Sequence, residues 1–152
     1  MKILVISDSH GSENAFIDVL EENKDATHLF FLGDGEKDFD NARYYAKNLN
    51  LYAVRGNCDI FSDLNAESIA AVGGKKIFYT HGHLYGVKSG YGYIAAKGKT
   101  NGADIVLFGH THLPFIEERE GMLLFNPGSL NSGSYGIIEI ENGKINAKLK
   151  RR

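Results

Sequence analysis

The sequence lacks most of what would send it to a disulfide-stapled, membrane-bound or nucleic-acid-gripping class. Its single cysteine, Cys58, excludes an intramolecular disulfide and a cysteine-built structural zinc knot. No apolar run approaches the ~20 residues of a membrane helix, and Ile3–Ile6 near the N-terminus is far too short for a signal-peptide core. A cytoplasmic protein with no membrane partner is therefore expected. An excess of positive charge is also missing. Seventeen basic residues against nineteen acidic ones give a net charge of −2, which supplies no field for avid binding to long nucleic acids. The basic cluster Lys148, Lys150, Arg151 and Arg152 reads as a solvated end. With two prolines in all, the chain has no proline-rich linker, and it has no serine-rich one and no internal repeat. Nothing in the pattern specifies an oligomeric state.

What is present fits one domain over residues 1–152, long enough to bury roughly two thirds of the surface of its unfolded chain. Apolar, β-branched runs at Ile3–Ile6, His28–Leu32 and Leu51–Val54 alternate with helical patterns, as in β-α-β units around a parallel sheet. Phe16, Val19 and Leu20 share one helical face after a candidate Ser12 cap, and Ala42, Tyr45, Ala46 and Leu49 share another. From about Ala66 the pattern becomes strands joined by tight turns. Gly73-Gly74, Glu120-Gly121 and Asn142-Gly143 precede Lys76–Thr80, Met122–Phe125 and Lys144–Leu149, which reads as mostly antiparallel β interrupted by a helix around Tyr93–Thr100. The fold class is α/β: a two-sheet sandwich with helices outside.

The polar residues fall at the ends of apolar runs. Ile3–Ile6 leads into Asp8-Ser9-His10, Leu29–Leu32 into Gly33-Asp34, Leu51–Val54 into Gly56-Asn57, Ile77–Tyr79 into His81-Gly82-His83, and Ile105–Phe108 into Gly109-His110-Thr111-His112. Side chains leaving neighbouring strands at their carboxyl ends converge on one crevice, so these loops are expected to meet. Carboxylate, imidazole and amide oxygen together suit Mn²⁺, Fe²⁺, Zn²⁺ or Ni²⁺. Taken singly, Asp-x-His is an ordinary loop cap, Gly-Asp and Gly-Asn are turn material, and a pair of histidines is often incidental. The ordered set, each member after a strand, points to a metal site.

That set, D-x-H, G-D, G-N, H-G-H and G-H-T-H, resembles the calcineurin-like metallophosphoesterase superfamily over almost the whole chain. Its brevity, together with Gly56-Asn57-Cys58-Asp59, Thr80-His81-Gly82-His83 and Phe125-Asn126-Pro127-Gly128-Ser129, is similar to the branch of small stand-alone phosphodiesterases. The resemblance implies that Asp8, His10 and His112 hold one divalent cation, that Asn57, His81 and His110 hold a second, and that Asp34 bridges them. Mn²⁺ is the expected ion. His83 would face the substrate or support the ligands, and Asn126–Ser129 would shape the rim. The implied function is a metal-dependent phosphodiesterase that attacks a small phosphate ester with a hydroxide bridging two cations. The alternative is a weak or inactive protein-binding scaffold of the same fold, as in the retromer subunit.

Two departures refine the expectation. Catalytic branches of the family usually read Gly-Asn-His, where the histidine assists the leaving group, whereas Cys58 stands at that place here. A thiol is a weaker donor than imidazolium, so Asn57, His83 and Cys58 form a catalytic set suited to esters with good leaving groups. The Gly-Asp-x-x-Asp-Arg-Gly of phosphoprotein phosphatases is absent after Gly33-Asp34. Gly90-Tyr91-Gly92-Tyr93-Ile94-Ala95 fits a dinucleotide-binding spacing, but it follows a loop and lacks the later acidic residue, so it reads as a helix start.

Overall fold

The computed structural model describes residues 1–152. In chain order the elements are β1 (Lys2–Ile6), α1 (Glu13–Glu22), β2 (His28–Phe31), α2 (Glu36–Ala42), β3 (Asn50–Ala53), β4 (Glu67–Val72), β5 (Lys75–Thr80), α3 (Gly92–Thr100), β6 (Ile105–Leu107), β7 (Phe115–Arg119), β8 (Met122–Asn126), β9 (Ser134–Glu141) and β10 (Lys144–Arg151). The strands form two five-stranded sheets, ordered β10-β9-β1-β2-β3 and β4-β5-β6-β8-β7.

Both sheets are covered on both faces at their centres, which is why the central strands are continuously apolar rather than alternating. In the first sheet, Ile3, Val5, Phe30 and Leu32 point into the sandwich and meet Ile77, Tyr79, Ile105, Leu107 and Phe125 of the second. The opposite face of the same strands, Leu4, Ile6, Leu29 and Phe31, packs on Phe16, Val19 and Leu20 of α1 and on Phe39 and Ala42 of α2. On the far side of the second sheet, Phe78, Val106 and Leu124 pack on Ile94 and Ala95 of α3. Phe16, Phe30, Phe31, Phe78, Phe108 and Phe125 are fully buried, and each contributes roughly 1.5–3 kcal/mol by leaving water. No helix is long and apolar enough to cross a membrane.

The two-sheet sandwich and its hairpins agree with the sequence reading. Glu120-Gly121 has φ +53° and +76° and Asn142-Gly143 has φ +51° and +75°, the paired left-handed conformation of a two-residue hairpin turn. Three expectations are refined. The second half is mostly antiparallel, as read, except at β6, which runs parallel to both β5 and β8. The crossover through α3 imposes the first of these pairings, as a parallel pair requires a long connection. The second helix begins earlier than its apolar spacing indicates. It leaves the Asp34 loop directly at Glu36 and ends at Ala42, and a 3₁₀ turn over Arg43–Tyr45 then rotates Tyr45 outward to 58% exposure. Finally, Ser12 occupies the N-cap of α1 without a side-chain capping bond; its hydroxyl donates to Asn131 Oδ1 at 2.8 Å.

This topology sets one edge of the sandwich apart. The parallel strands β1, β2 and β3 of one sheet and β5, β6 and β8 of the other deliver their carboxyl ends to it. Bonds between loops tie that edge together: Asp8 N–H donates to Gly33 O at 2.9 Å, Gly109 N–H to His81 O at 2.8 Å, and Leu130 N–H to Ser7 O at 2.9 Å.

Candidate metal centre

The residues proposed from sequence arrive at this edge in an unusual backbone state. Asp8, His10, Asp34, His110 and His112 all have positive φ, between +42° and +70°. Of the seven non-glycine residues in that conformation, the other two are the hairpin residues Glu120 and Asn142. A non-glycine residue in the left-handed region costs of order 1–3 kcal/mol and persists only where its surroundings impose it. The loops are therefore shaped for where they aim these side chains. Gly33 also has positive φ, and a Cβ there would stand 2.7 Å from Gly56 Cα, so the Asp34 and Asn57 loops approach closer than any larger residue allows.

The side chains converge as two groups. Asp8, His10 and His112 form one, and Asp34, His81 and His110 the other, each with its donor atoms within 4.8 Å of one another. Asp8 Oδ1 lies 3.1 Å from His112 Nε2 and 3.5 Å from His10 Nε2. Asp34 Oδ2 lies 3.3 Å from His81 Nε2 and 3.8 Å from His10 Nε2, so this one oxygen faces both groups. The His83 ring lies beside the second group, its centroid 5.5 Å from that of His81 and 6.2 Å from that of His110. Asn57 is exposed on the neighbouring loop with its Nδ2 3.6 Å from Cys58 Sγ, and the Cys58 N–H donates to Asp34 Oδ1 at 2.8 Å. His28, the remaining histidine, lies on β2 against Thr27 and Tyr52, away from these loops.

The free valences point to a cation. Asp8 and His81 are fully buried, yet Asp8 Oδ1 and His81 Nε2 have no hydrogen-bond partner, an arrangement that costs of order 1–3 kcal/mol per group unless something else binds there. The other atom of each side chain is committed. Asp8 Oδ2 accepts from Ser7 Oγ at 2.5 Å and from His110 N–H at 3.1 Å. His81 Nδ1 donates to Leu32 O at 2.7 Å, which turns the Nε2 lone pair into the site. Donors of this kind, two carboxylates and four imidazoles across the two groups, fit a divalent transition metal.

A calcineurin-like phosphoesterase superfamily domain matches residues 1–143. The chain belongs to that superfamily. A probable metallophosphoesterase, YsnB of Bacillus subtilis, is 36% identical, the match covering 93% of this chain and 86% of that protein. The phosphodiesterase YfcE of Escherichia coli K12 is 34% identical over 91% of this chain and 88% of its own. Among solved structures, a predicted phosphoesterase from Streptococcus pneumoniae superposes with a TM-score of 0.85 at 25% identity, covering 99% of this chain and 88% of that one. Vps29 of Entamoeba histolytica shares the fold, with a TM-score of 0.80 at 23% identity over 100% and 99% of the two chains.

Electrostatics in this phosphoesterase site follow from burial opposed by close partners. Burial alone would raise the Asp34 carboxyl, but His81 and the Cys58 N–H outweigh it and hold it far below the usual carboxylate range. Burial would lower His81, and Asp34 and Asp8 reverse that and push it up. Each of the two groups thus favours the charged form of the other, and a cation bound between them would stand where that proton does. His83 and His110 are both lowered, by burial first and then by His81.

Sequence reasoning missed the residues that hold the phosphoesterase loops in place. Asp59 accepts four backbone N–H groups, from Asp34 and Gly56 on Oδ2 at 2.8 Å each and from Gly35 and Glu36 on Oδ1 at 3.0 and 3.1 Å, stapling the loops of Asp34 and Asn57 together. Asp38, buried at the start of α2, accepts from Ser9 Oγ at 2.6 Å and Gly11 N–H at 2.8 Å, bracing the loop of Asp8 and His10. Asn126 and Ser129 are buried anchors rather than rim. Asn126 Nδ2 donates to Gly109 O and Thr111 Oγ1, its Oδ1 accepts from Gly128 N–H, and Ser129 Oγ donates to Asp8 O at 2.8 Å. Asn126→Ala should therefore destabilise the fold by about 2–3 kcal/mol and lower Tm by roughly 5–10 °C. A melting curve within about a degree of the parent's would show that the anchor is dispensable.

Proposed function

We propose that this phosphoesterase is a cytoplasmic phosphodiesterase for small esters, working with two divalent cations, Mn²⁺ foremost. Asp8, His10 and His112 take one ion, Asn57, His81 and His110 the other, and Asp34 lies between them. The observation that carries this reading is the pair of buried, unpartnered donor atoms, Asp8 Oδ1 and His81 Nε2, set among three further imidazoles and a second carboxylate. Bound cations at such a site lower the pKa of water and offset the charge that develops on the phosphoryl oxygens.

The chain's own part is orientation and selection. Asp34 fixes the spacing of the two groups, because its Oδ2 faces both while its Oδ1 is tied to the Cys58 N–H. Asn57, an exposed amide, and His83, a half-buried imidazole, are the side chains assigned to the ester phosphate. Cys58, the exposed neighbour of Asn57, offers the leaving group a weak donor only. Esters whose leaving groups depart unaided, such as aryl and other activated diesters, are the expected substrates. The relatives named metallophosphoesterase and phosphodiesterase support the same reading.

The fold alone would serve a protein-binding scaffold as well, as the Vps29 likeness indicates. The intact donor set favours turnover. Chelated protein should be inactive on bis(p-nitrophenyl) phosphate and regain activity with Mn²⁺, and undiminished turnover after exhaustive chelation would overturn the metal dependence. Mn²⁺ at 100 times its Kd should also stabilise the fold by about 2.7 kcal/mol, read as a rise in Tm. Absence of hydrolysis with every divalent metal tried would leave the scaffold reading standing.

A further inference from the structure

Cys58 is the chain's one thiol, and it is held where a cation would meet it. Its Sγ, a His10 ring nitrogen and an Asp34 carboxylate oxygen all lie within 4.8 Å of one another. A single ion with bonds of about 2.0–2.3 Å spans that separation. The backbone that carries the thiol is fixed. Its own N–H is bound to Asp34 Oδ1 at 2.8 Å, and the next residue, Asp59, gathers four backbone N–H groups of the flanking loops. A second feature, the buried donor that also supports the metal-centre reading, faces this side. Asp8 Oδ1, from a fully buried side chain, has no hydrogen-bond partner and stands 3.5 Å from His10 Nε2.

The geometry points to Cys58 as a metal-selective ligand: a thiophilic ion such as Zn²⁺, Co²⁺ or Cd²⁺ at the His10–Asp34 position takes Sγ as an additional ligand, and Mn²⁺ does not. This rests on the metal-centre reading above and on nothing about the substrate. Thiolate sulfur favours the softer ions, whereas Mn²⁺ favours oxygen. On binding, the S–H bond breaks as the S–metal bond forms, and the proton passes to solvent; no oxidant or reductant takes part. Because Cys58 lies at the exposed mouth of the site, its sulfur then fills a coordination position that an incoming ester oxygen would otherwise use. The chain thereby discriminates between ions that sustain turnover and ions that are held too completely.

The test reads the bond itself. Co²⁺ added to chelated parent protein should give the intense near-ultraviolet charge-transfer absorption of a thiolate–cobalt bond. Cys58→Ser should lose that absorption while keeping the weak visible bands of bound Co²⁺. Since Cys58 is exposed, the variant is expected to fold, which its Tm checks. Zn²⁺ affinity, measured by competition with a chromogenic chelator, should fall at least about 10-fold in Cys58→Ser, in the range set by loss of groups that merely support a ligand. Mn²⁺ affinity should move by less than about 3-fold, as expected when no bond is lost. Co²⁺ bound without charge transfer, or equal Zn²⁺ affinity in parent and variant, would overturn the role of Cys58 alone. Failure of every cation to bind would instead overturn the metal centre, and this inference with it.

Discussion

Asp34→Asn should reduce hydrolysis by about 10³-fold or more and leave a protein that retains neither cation tightly. Bound cations contribute several kcal/mol to phosphoryl transfer, and each 1.36 kcal/mol is tenfold in rate. Asp34 is the side chain whose loss reaches both groups, with Oδ2 at 3.3 Å from His81 Nε2 and 3.8 Å from His10 Nε2. An amide cannot repeat its hydrogen bonds. If the amide oxygen accepts the Cys58 N–H, as Oδ1 does at 2.8 Å, the NH₂ group points at the imidazoles and repels a cation there. If the amide is flipped, two N–H groups face each other across that contact. The variant should be gel-filtered after metal loading and its metal content measured alongside kcat/KM. Two ions retained as tightly as in the parent would show that Asp34 does not lie between them.

The parts of the site that were legible in the sequence are those written locally. The first candidate ligand of each loop follows an apolar run within two or three residues, so the strand that carries it and the loop that turns it appear together, as in Ile3–Ile6 before Asp8 and Ile105–Phe108 before His110. Burial on both faces of β1 and β2 leaves the same local trace, an unbroken apolar run. What holds these candidate ligands in position is not local. Ser129 Oγ reaches Asp8 O across 121 residues of sequence, and His110 N–H reaches Asp8 Oδ2 across 102. Asp59 sits beside the motif it staples, but its four partners are backbone groups, which no residue pattern announces. The parallel course of β6 was hidden for a related reason. A three-residue strand, Ile105–Leu107, has too few positions to show its pairing, and the direction is set by α3 and by the register with β8.

Cys58→His should raise turnover of esters with poor leaving groups by about 10²-fold, the lower end of what general-acid help supplies, and change turnover of aryl diesters much less. An alkoxide leaves as a strong base and needs a proton in the transition state, whereas a nitrophenolate does not. The Cys58 thiol is a poor source of that proton. Partial desolvation and then the neighbouring Asp34 raise its pKa, and a thiol hydrogen-bonds weakly. An imidazole at this place would gain from the same carboxylate, because a negative neighbour favours its protonated, proton-donating form. The position has room for the larger ring, since Cys58 is exposed and its backbone is already fixed by the bond to Asp34 Oδ1. Rates should be compared at saturating Mn²⁺ across diesters whose leaving groups span a wide range of pKa. The parent's logarithmic rate should fall steeply with leaving-group pKa, and the variant's should fall less. Parallel slopes would show that a donor at position 58 cannot reach the departing oxygen, and the preference for activated esters would then have to arise from His83 or from the shape of the groove.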